Sequence, residues 1–231
     1  MLSFVVPAYN EEKYLAATLS AIHASARELG IPYEIVVAND ASTDATVEIA
    51  AAHGAQVVTA AHRKISATRN SGARAAVGER LVFVDADTLV NATVVRAALA
   101  AMDAGAVGGG AQVDFDANAP RWGHVLIRGV VAFMRWWNWA AGCFIFCTRE
   151  AFDAVGGFDE RQFAAEEIVL SQALKRRGRV VILRERVTTS SRKFDFHSPW
   201  QTLRIIVRMG LRGFAGSRRR DLASFWYDGK R

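Results

Sequence analysis

The chain has 231 residues, 51% of them hydrophobic, enough to bury one sizeable core, so a single domain over residues 1–231 is expected. Its 29 basic and 23 acidic residues leave a formal charge of +6, which favours anionic partners (nucleotides, nucleic acid, phospholipid head groups, phosphorylated substrates) without choosing among them. The opening MLSFVVPAYN lacks a basic n-region and does not read as a signal peptide. The most apolar stretch, VLIRGVVAFMRWWNWAAGCFIFC, is broken by Arg128, Arg135 and Asn138, short of the roughly 20 apolar residues of a transmembrane span.

The first half alternates strand and helix. SFVVPA reads as a strand, and Glu11 to Leu29 as a helix with Leu15, Leu19, Ile22 and Ala26 on its apolar side. YEIVVA is the second strand, Asp44 caps a helix running to Ala52, and AQVVTA is the third strand. Ser66 to Val77 reads as a helix, RLVFVDAD as a fourth strand, and Asn91 caps a helix to Met102. Strand and helix at this spacing mean βαβ units, hence an α/β protein whose mostly parallel sheet is covered on both faces. In such sheets ligands bind at the carboxyl ends of the strands.

After AVGGGAQVDFD the alternation loosens, and residues 114 to 142 hold four of the six tryptophans, Trp122, Trp136, Trp137 and Trp139. They read either as an acceptor pocket or as core. GCFIFCTREAFDAVGGFDE then gives a strand, a helix and a turn. AEEIVLSQALKRRG is a helix, RVVIL a strand, and the tail from Pro199 a basic helix. The two cysteines, Cys143 and Cys147, lie four apart on the expected GCFIFC strand. That places them on one face, roughly 13 Å apart, too far for a disulfide. Both read as buried apolar residues, and so low a count suits a reducing compartment. The tryptophans cluster with apolar residues rather than alternating with Lys and Arg, which argues against nucleic acid as a partner.

Four motifs fall at the carboxyl edge of the sheet. VVPAYNEEKYL ends the first strand with Pro7, Tyr9, Asn10 and Glu11, and VVANDASTDAT ends the second with Asn39, Asp40, Ser42 and Asp44. ISATRNSGA opens a helix with Arg69, Asn70 and Gly72. LVFVDADTLV places Asp85 and Asp87 one residue apart, pointing to one side if the strand continues. Such a pair suits Mg²⁺ or Mn²⁺, which takes carboxylate oxygens and leaves positions for phosphate oxygens. It also suits a turn with two solvated aspartates. A carboxylate beside a strand end can accept the imide N–H of uracil, and an arginine with exposed helix N–H groups suits diphosphate. Ser42 and Asp44 fit helix capping, which for Asp44 is the better reading.

In this order and at these intervals the motifs resemble the inverting family 2 glycosyltransferases with the GT-A fold. The similarity runs from Ser3 to about Arg177 and includes AAGCFIFCTREAFDAVGGFDERQFAAEEIVLSQALKRRG, which resembles the acceptor half. The resemblance implies a nucleotide-sugar-binding half over 1–112, an acceptor and catalytic half over 113–198, and a basic C-terminal helix and tail over 199–231. It implies that Pro7, Tyr9, Asn10, Glu11, Asn39, Asp40, Arg69 and Asp85 serve the nucleotide, Asp85 facing the ribose or a metal-bound water. It also makes Asp87 the direct ligand of Mn²⁺ or Mg²⁺. The family's base sits at a Glu-Asp pair that begins a helix after a GGFDE turn, and here GGFDERQFAAEE offers Glu166 and Glu167. Glu167 replaces the usual Asp, and one extra methylene can displace a base enough to cost about 100-fold in rate. Either the backbone compensates, or Glu166 takes the role, or the reaction differs. Asn39 stands where many relatives have a second Asp, which loosens the match at the base site.

Two later signals complete the sequence. SSRKFDFHSPW brings Arg192, Lys193, Asp195 and His197 after the last core strand. Some GT-A enzymes use a late histidine as an extra metal ligand and late basic residues over the diphosphate, while an exposed loop histidine is the plainer reading. Arg204, Arg208 and Arg212 share a stripe of the tail helix opposite Leu203, Ile206, Val207 and Leu211. That suits either an anionic membrane surface near lipid-linked acceptors or packing on the chain's own domain.

The expectation is therefore a metal-dependent transferase, cytoplasmic or peripheral at the inner membrane face. It moves a sugar from a UDP-sugar, or a GDP-sugar, to a hydroxyl of a saccharide, lipid-linked or small-molecule acceptor. A nucleotidyltransferase normally needs a glycine-rich basic loop after the first strand, which PAYNEEKY does not offer. A non-catalytic carbohydrate- or lipid-binding module would keep its ligand affinity after Glu167→Gln.

Overall fold

A computed structural model of the chain describes residues 1–120, 122–123, 128–129, 135–137 and 139–192. Its elements in chain order are β1 (Leu2–Ala8), α1 (Leu15–Leu29), β2 (Tyr33–Asp40), α2 (Thr46–Ala52) and β3 (Gln56–Ala60). They continue with α3 (Ile65–Ala75), β4 (Arg80–Val84), β5 (Thr88–Leu89), α4 (Ala92–Asp103) and β6 (Ala106–Phe115). The last are β7 (Phe144–Thr148), α5 (Arg149–Ala154), α6 (Glu166–Lys175) and β8 (Arg179–Thr189).

The strands form one sheet in the order β3-β2-β1-β4-β7-β6-β8-β5. The pairs β1–β2, β1–β4, β2–β3 and β6–β8 are parallel, while β7 runs antiparallel to β4 and β6, and β5 antiparallel to β8. This order forces the sheet to curl. β4 and β5 lie four strand spacings apart in it, roughly 19 Å if flat, yet the chain from Val84 to Thr88 reaches at most about 14 Å. The turn Asp85–Asp87 spans that closure.

Strand alternation divides the core between two faces. Phe4, Val6, Val82 and Val84 meet Leu15, Leu19 and Ile22 of α1 and Val94 and Val95 of α4. Val5, Leu81, Phe83 and Ile145 meet Ala73 of α3, Phe152 of α5, Phe158, and Leu170 and Leu174 of α6. β6 owes its glycine run to close approach. A Cβ at Gly109 would lie 1.9 Å from the Val181 carbonyl oxygen, and one at Gly110 would lie 2.7 Å from Ala140 Cβ.

Three local expectations are corrected. α1 starts at Leu15, not Glu11, because Thr46 Oγ1 takes the Glu11 N–H (2.8 Å) and Asp44 the Glu12 N–H (3.1 Å). Tertiary partners thus hold residues 11–14 in a turn. β4 stops at Val84, since the Asp85 N–H turns to the Cys143 carbonyl (3.2 Å) and the Thr88 N–H closes back on Asp85 (3.0 Å). Cys143 lies before β7 and is only partly buried, while Cys147 is fully buried, which pushes its thiol up; both are free thiols. Asp44 does cap α2 from just outside it, accepting the Thr46 N–H at 3.1 Å and its hydroxyl at 2.5 Å. Among the described residues no helix is long and apolar enough to cross a membrane.

Candidate active site

The carboxyl ends of β1 to β4, the start of α6 and the end of β8 meet around one rim. Four non-glycine residues adopt left-handed backbone there: Asn10 after β1, Ala41 after β2, Arg63 after β3 and Ala165 before α6, with φ of 53°, 59°, 50° and 58°. Strain of this kind, costing roughly 1–3 kcal/mol per residue, persists only where surrounding contacts over-determine it.

Those contacts can be named. The Asn10 N–H donates to Ser42 Oγ (3.0 Å) while its Oδ1 accepts the Thr43 N–H (2.8 Å), so the turn after β1 is sewn to the turn after β2. Asn39 is buried, and its Oδ1 accepts the Ser42 N–H (3.1 Å). Pro7 is buried in β1 opposite Ala38. Tyr9 lies beneath the Arg63 guanidinium, 4.1 Å from its ring centre. Asp40 holds the loop that carries Arg63: its Oδ1 accepts the N–H groups of His62 (2.7 Å) and Arg63 (2.9 Å), and its Oδ2 that of Lys64 (3.2 Å). A carboxylate offers about four acceptor positions, so this one keeps a single place on Oδ2.

Arg69 projects from α3 into a closed cluster. Its side chain is 1% exposed, with Nη2 2.7 Å from Asp85 and Nη1 2.7 Å from Glu166. Nη2 also donates to the Gly142 carbonyl (2.8 Å), and Nε has no partner. The guanidinium thus ties β4, the segment before β7 and α6 together rather than presenting itself to a ligand. Beside it Asn70 receives the Phe158 N–H (2.9 Å) and donates to the Phe158 carbonyl and Glu160 Oε1 (2.9 Å each). A Cβ on Gly157, whose φ is 75°, would stand 2.7 Å from Asn70 Oδ1. The GGFDE turn therefore docks on α3 and sets where α6 begins.

At that start the two glutamates part. Glu166 is buried in its ion pair with Arg69. Glu167 is partly buried and makes no ion pair among the described residues. Burial first, then the negative charges of Glu166 and Asp85, outweigh Arg69 and push its carboxyl up to about 8. Gly142 borders it, an added Cβ there standing 3.5 Å from Glu167 Cδ.

Asp85 and Asp87 face different arginines. Asp85 faces Arg69, whereas Asp87 Oδ2 lies 2.9 Å from Arg192 Nη2. The turn that ends β4 separates them, which corrects the expectation of one shared side. Arg192 also grips Glu11 at 2.7 Å through each terminal nitrogen, so Glu11 faces the end of β8. Among the described residues no three His, Cys, Asp or Glu gather as a metal site. His197 and the basic tail helix lie outside the described residues. The expected place of Arg69 beside the diphosphate is corrected by its burial against Asp85 and Glu166, which no motif encodes. Nor does any motif mark the pairing of Glu11 with Arg192, 181 positions apart.

The curled, helix-flanked sheet with this rim is the GT-A fold. It superposes on a mannosyltransferase of Pyrobaculum calidifontis in complex with GDP-Man and Mn²⁺ with a TM-score of 0.67 at 20% identity, over 99% of this chain and 65% of that one. Glucosyl-3-phosphoglycerate synthase of Mycobacterium tuberculosis, in complex with Mn²⁺, UDP and glucosyl-3-phosphoglycerate, gives 0.59 at 20% identity, over 94% and 79%. The model of the glycosyl transferase family 2 matches residues 3–156, and the chain belongs to that family. Among curated proteins it is 34% identical to an uncharacterised glycosyltransferase of M. tuberculosis, over 46% of this chain and 45% of the relative. It is 38% identical to dolichyl-phosphate β-glucosyltransferase of Drosophila melanogaster, over 37% and 30%. The matches thus span less than half the length of either relative.

Proposed function

We propose that this chain transfers a sugar from a nucleoside-diphosphate sugar to an acceptor hydroxyl with inversion, a UDP-sugar being the favoured donor. The observation that carries the reading is the placement of Glu167: a carboxyl at the start of a fixed helix, on the rim where the strands end, beside a Glu166 committed to Arg69, with burial and Glu166 pushing its carboxyl up. A general base works best when its pKa lies near the working pH. Glu166, committed to Arg69, is its positioning partner rather than its rival. Glu167 takes the proton of the acceptor hydroxyl, whose oxygen attacks the anomeric carbon opposite the departing diphosphate. That single displacement inverts the centre.

Asp40 supports uracil. Its one remaining acceptor position matches the single imide N–H of that base, whereas the edge of guanine presents two donors. Tyr9 and Arg63 border the same place. Asp87 supports a metal by its chemistry: hard carboxylate oxygens suit Mn²⁺ or Mg²⁺ completed by phosphate oxygens and water. Such an ion would neutralise the charge that grows on the leaving diphosphate. Arg69 fixes Asp85 and Glu166 around that place.

A thermal-shift panel of UDP, GDP and their sugars, with and without Mn²⁺, tests the reading. UDP should raise the melting temperature only with the metal present, and Asp87→Asn should abolish the rise. No response to any nucleotide contradicts the proposal.

A further inference from the structure

Arg192 does more than the proposed chemistry needs. Its guanidinium binds both Glu11 oxygens at 2.7 Å and Asp87 at 2.9 Å, and lies 4.9 Å from the Tyr14 ring centre. The side chains of Glu11 and Asp87 are only 5% and 10% exposed, so neither tolerates loss of its counter-charge. Among the described residues one guanidinium here faces two carboxylates.

We propose that Arg192 is the resident counter-cation of the metal position, displaced from Asp87 when a divalent ion and a diphosphate enter together. This rests on the metal-dependent nucleotide reading above. An ion bound by Asp87 would set positive charge against the guanidinium, so ion and arginine exclude each other there. The backbone does not follow the exchange: the Ser190 N–H donates to the Asp87 carbonyl (3.1 Å), and Ser191 Oγ donates to Asp116 (2.6 Å). Only the long side chain turns. A diphosphate gives the released guanidinium a new anionic partner suited to its fork. Metal alone must therefore expel Arg192 with nothing to receive it, and nucleotide alone must meet the cluster without the ion. The two ligands bind as a unit.

Mn²⁺ binding, read from the electron paramagnetic resonance signal of the unbound ion, tests the exchange in wild type, Arg192→Gln and Arg192→Ala, with and without UDP. Wild type should bind Mn²⁺ alone weakly, and UDP should tighten that binding at least about 10-fold, the scale of one charge-assisted hydrogen bond. Both variants should bind Mn²⁺ alone at least about 10-fold more tightly than wild type, and UDP should add little. Melting curves give a second readout, in which Mn²⁺ alone should raise the melting temperature of either variant and leave wild type unmoved. Variants with wild-type affinity for Mn²⁺ alone and the full gain from UDP overturn the exchange but leave the functional reading standing. Wild type that binds no UDP with Mn²⁺ overturns both.

Discussion

Two arginines stand on the same sheet rim, and each bridges two carboxylates. Arg69 reaches Asp85 and Glu166 from the middle of α3, and its side chain is 1% exposed. Arg192 reaches Glu11 and Asp87 from just past β8, and its side chain is 19% exposed. The first cluster is closed by a backbone carbonyl and joins elements far apart in sequence, so it has no way to rearrange without moving α6. In the second the guanidinium is the more exposed partner, at 19% against 5% and 10% for its carboxylates, and the proposed exchange moves that side chain alone. Similar chemistry therefore serves as frame in one place and as a replaceable partner in the other.

Arg69→Met tests the frame most severely. It leaves two carboxylates without their cation, and the expected loss is about 3–5 kcal/mol in urea unfolding, with no recovery on adding Mn²⁺. A variant as stable as wild type would erase the distinction between the clusters. The pH dependence comes next. With its carboxyl near 8, Glu167 is mostly protonated at neutrality, so kcat/KM should rise about tenfold per pH unit up to about 8 and then level. The linkage has the matching sign. A carboxyl raised from its ordinary 4.5 contributes stability that is full below 4.5 and lost as pH climbs through about 8. Glu167→Gln should flatten that part of the stability profile.

Smaller effects probe the joints of the rim. Asp44→Ala removes acceptors from the Thr46 and Glu12 N–H groups and should lower stability by about 1 kcal/mol. Ala165→Gly relieves a left-handed alanine and should raise stability by about 0.5 kcal/mol. Because α6 then starts less firmly, turnover should fall several-fold. A stability gain without loss of turnover would show that the strain serves no purpose at the base.

The first half of the chain, through α4, was legible in the sequence because its order is local. Near-continuous apolar runs in SFVVPA and YEIVVA mark strands buried on both faces, Asn91 caps α4 as expected, and the turn residues punctuate each unit. Boundaries failed where long-range partners act. Glu11 carries helix-forming sequence, yet Thr46 and Arg192 hold it outside α1. Asp85 and Asp87 look like a pair, yet the curl of the sheet sends each to a different arginine. Nothing local distinguishes Glu166 from Glu167 either. The choice between them is made by Arg69, 97 positions earlier.

The central claim is that Glu167 is the base of a transferase, and Glu167→Gln measures it most directly. UDP release from a panel of UDP-sugars, with water or an added acceptor, should fall about 1000-fold, while affinity for UDP with Mn²⁺ stays within about twofold of wild type. Turnover equal to wild type in the variant would contradict the account.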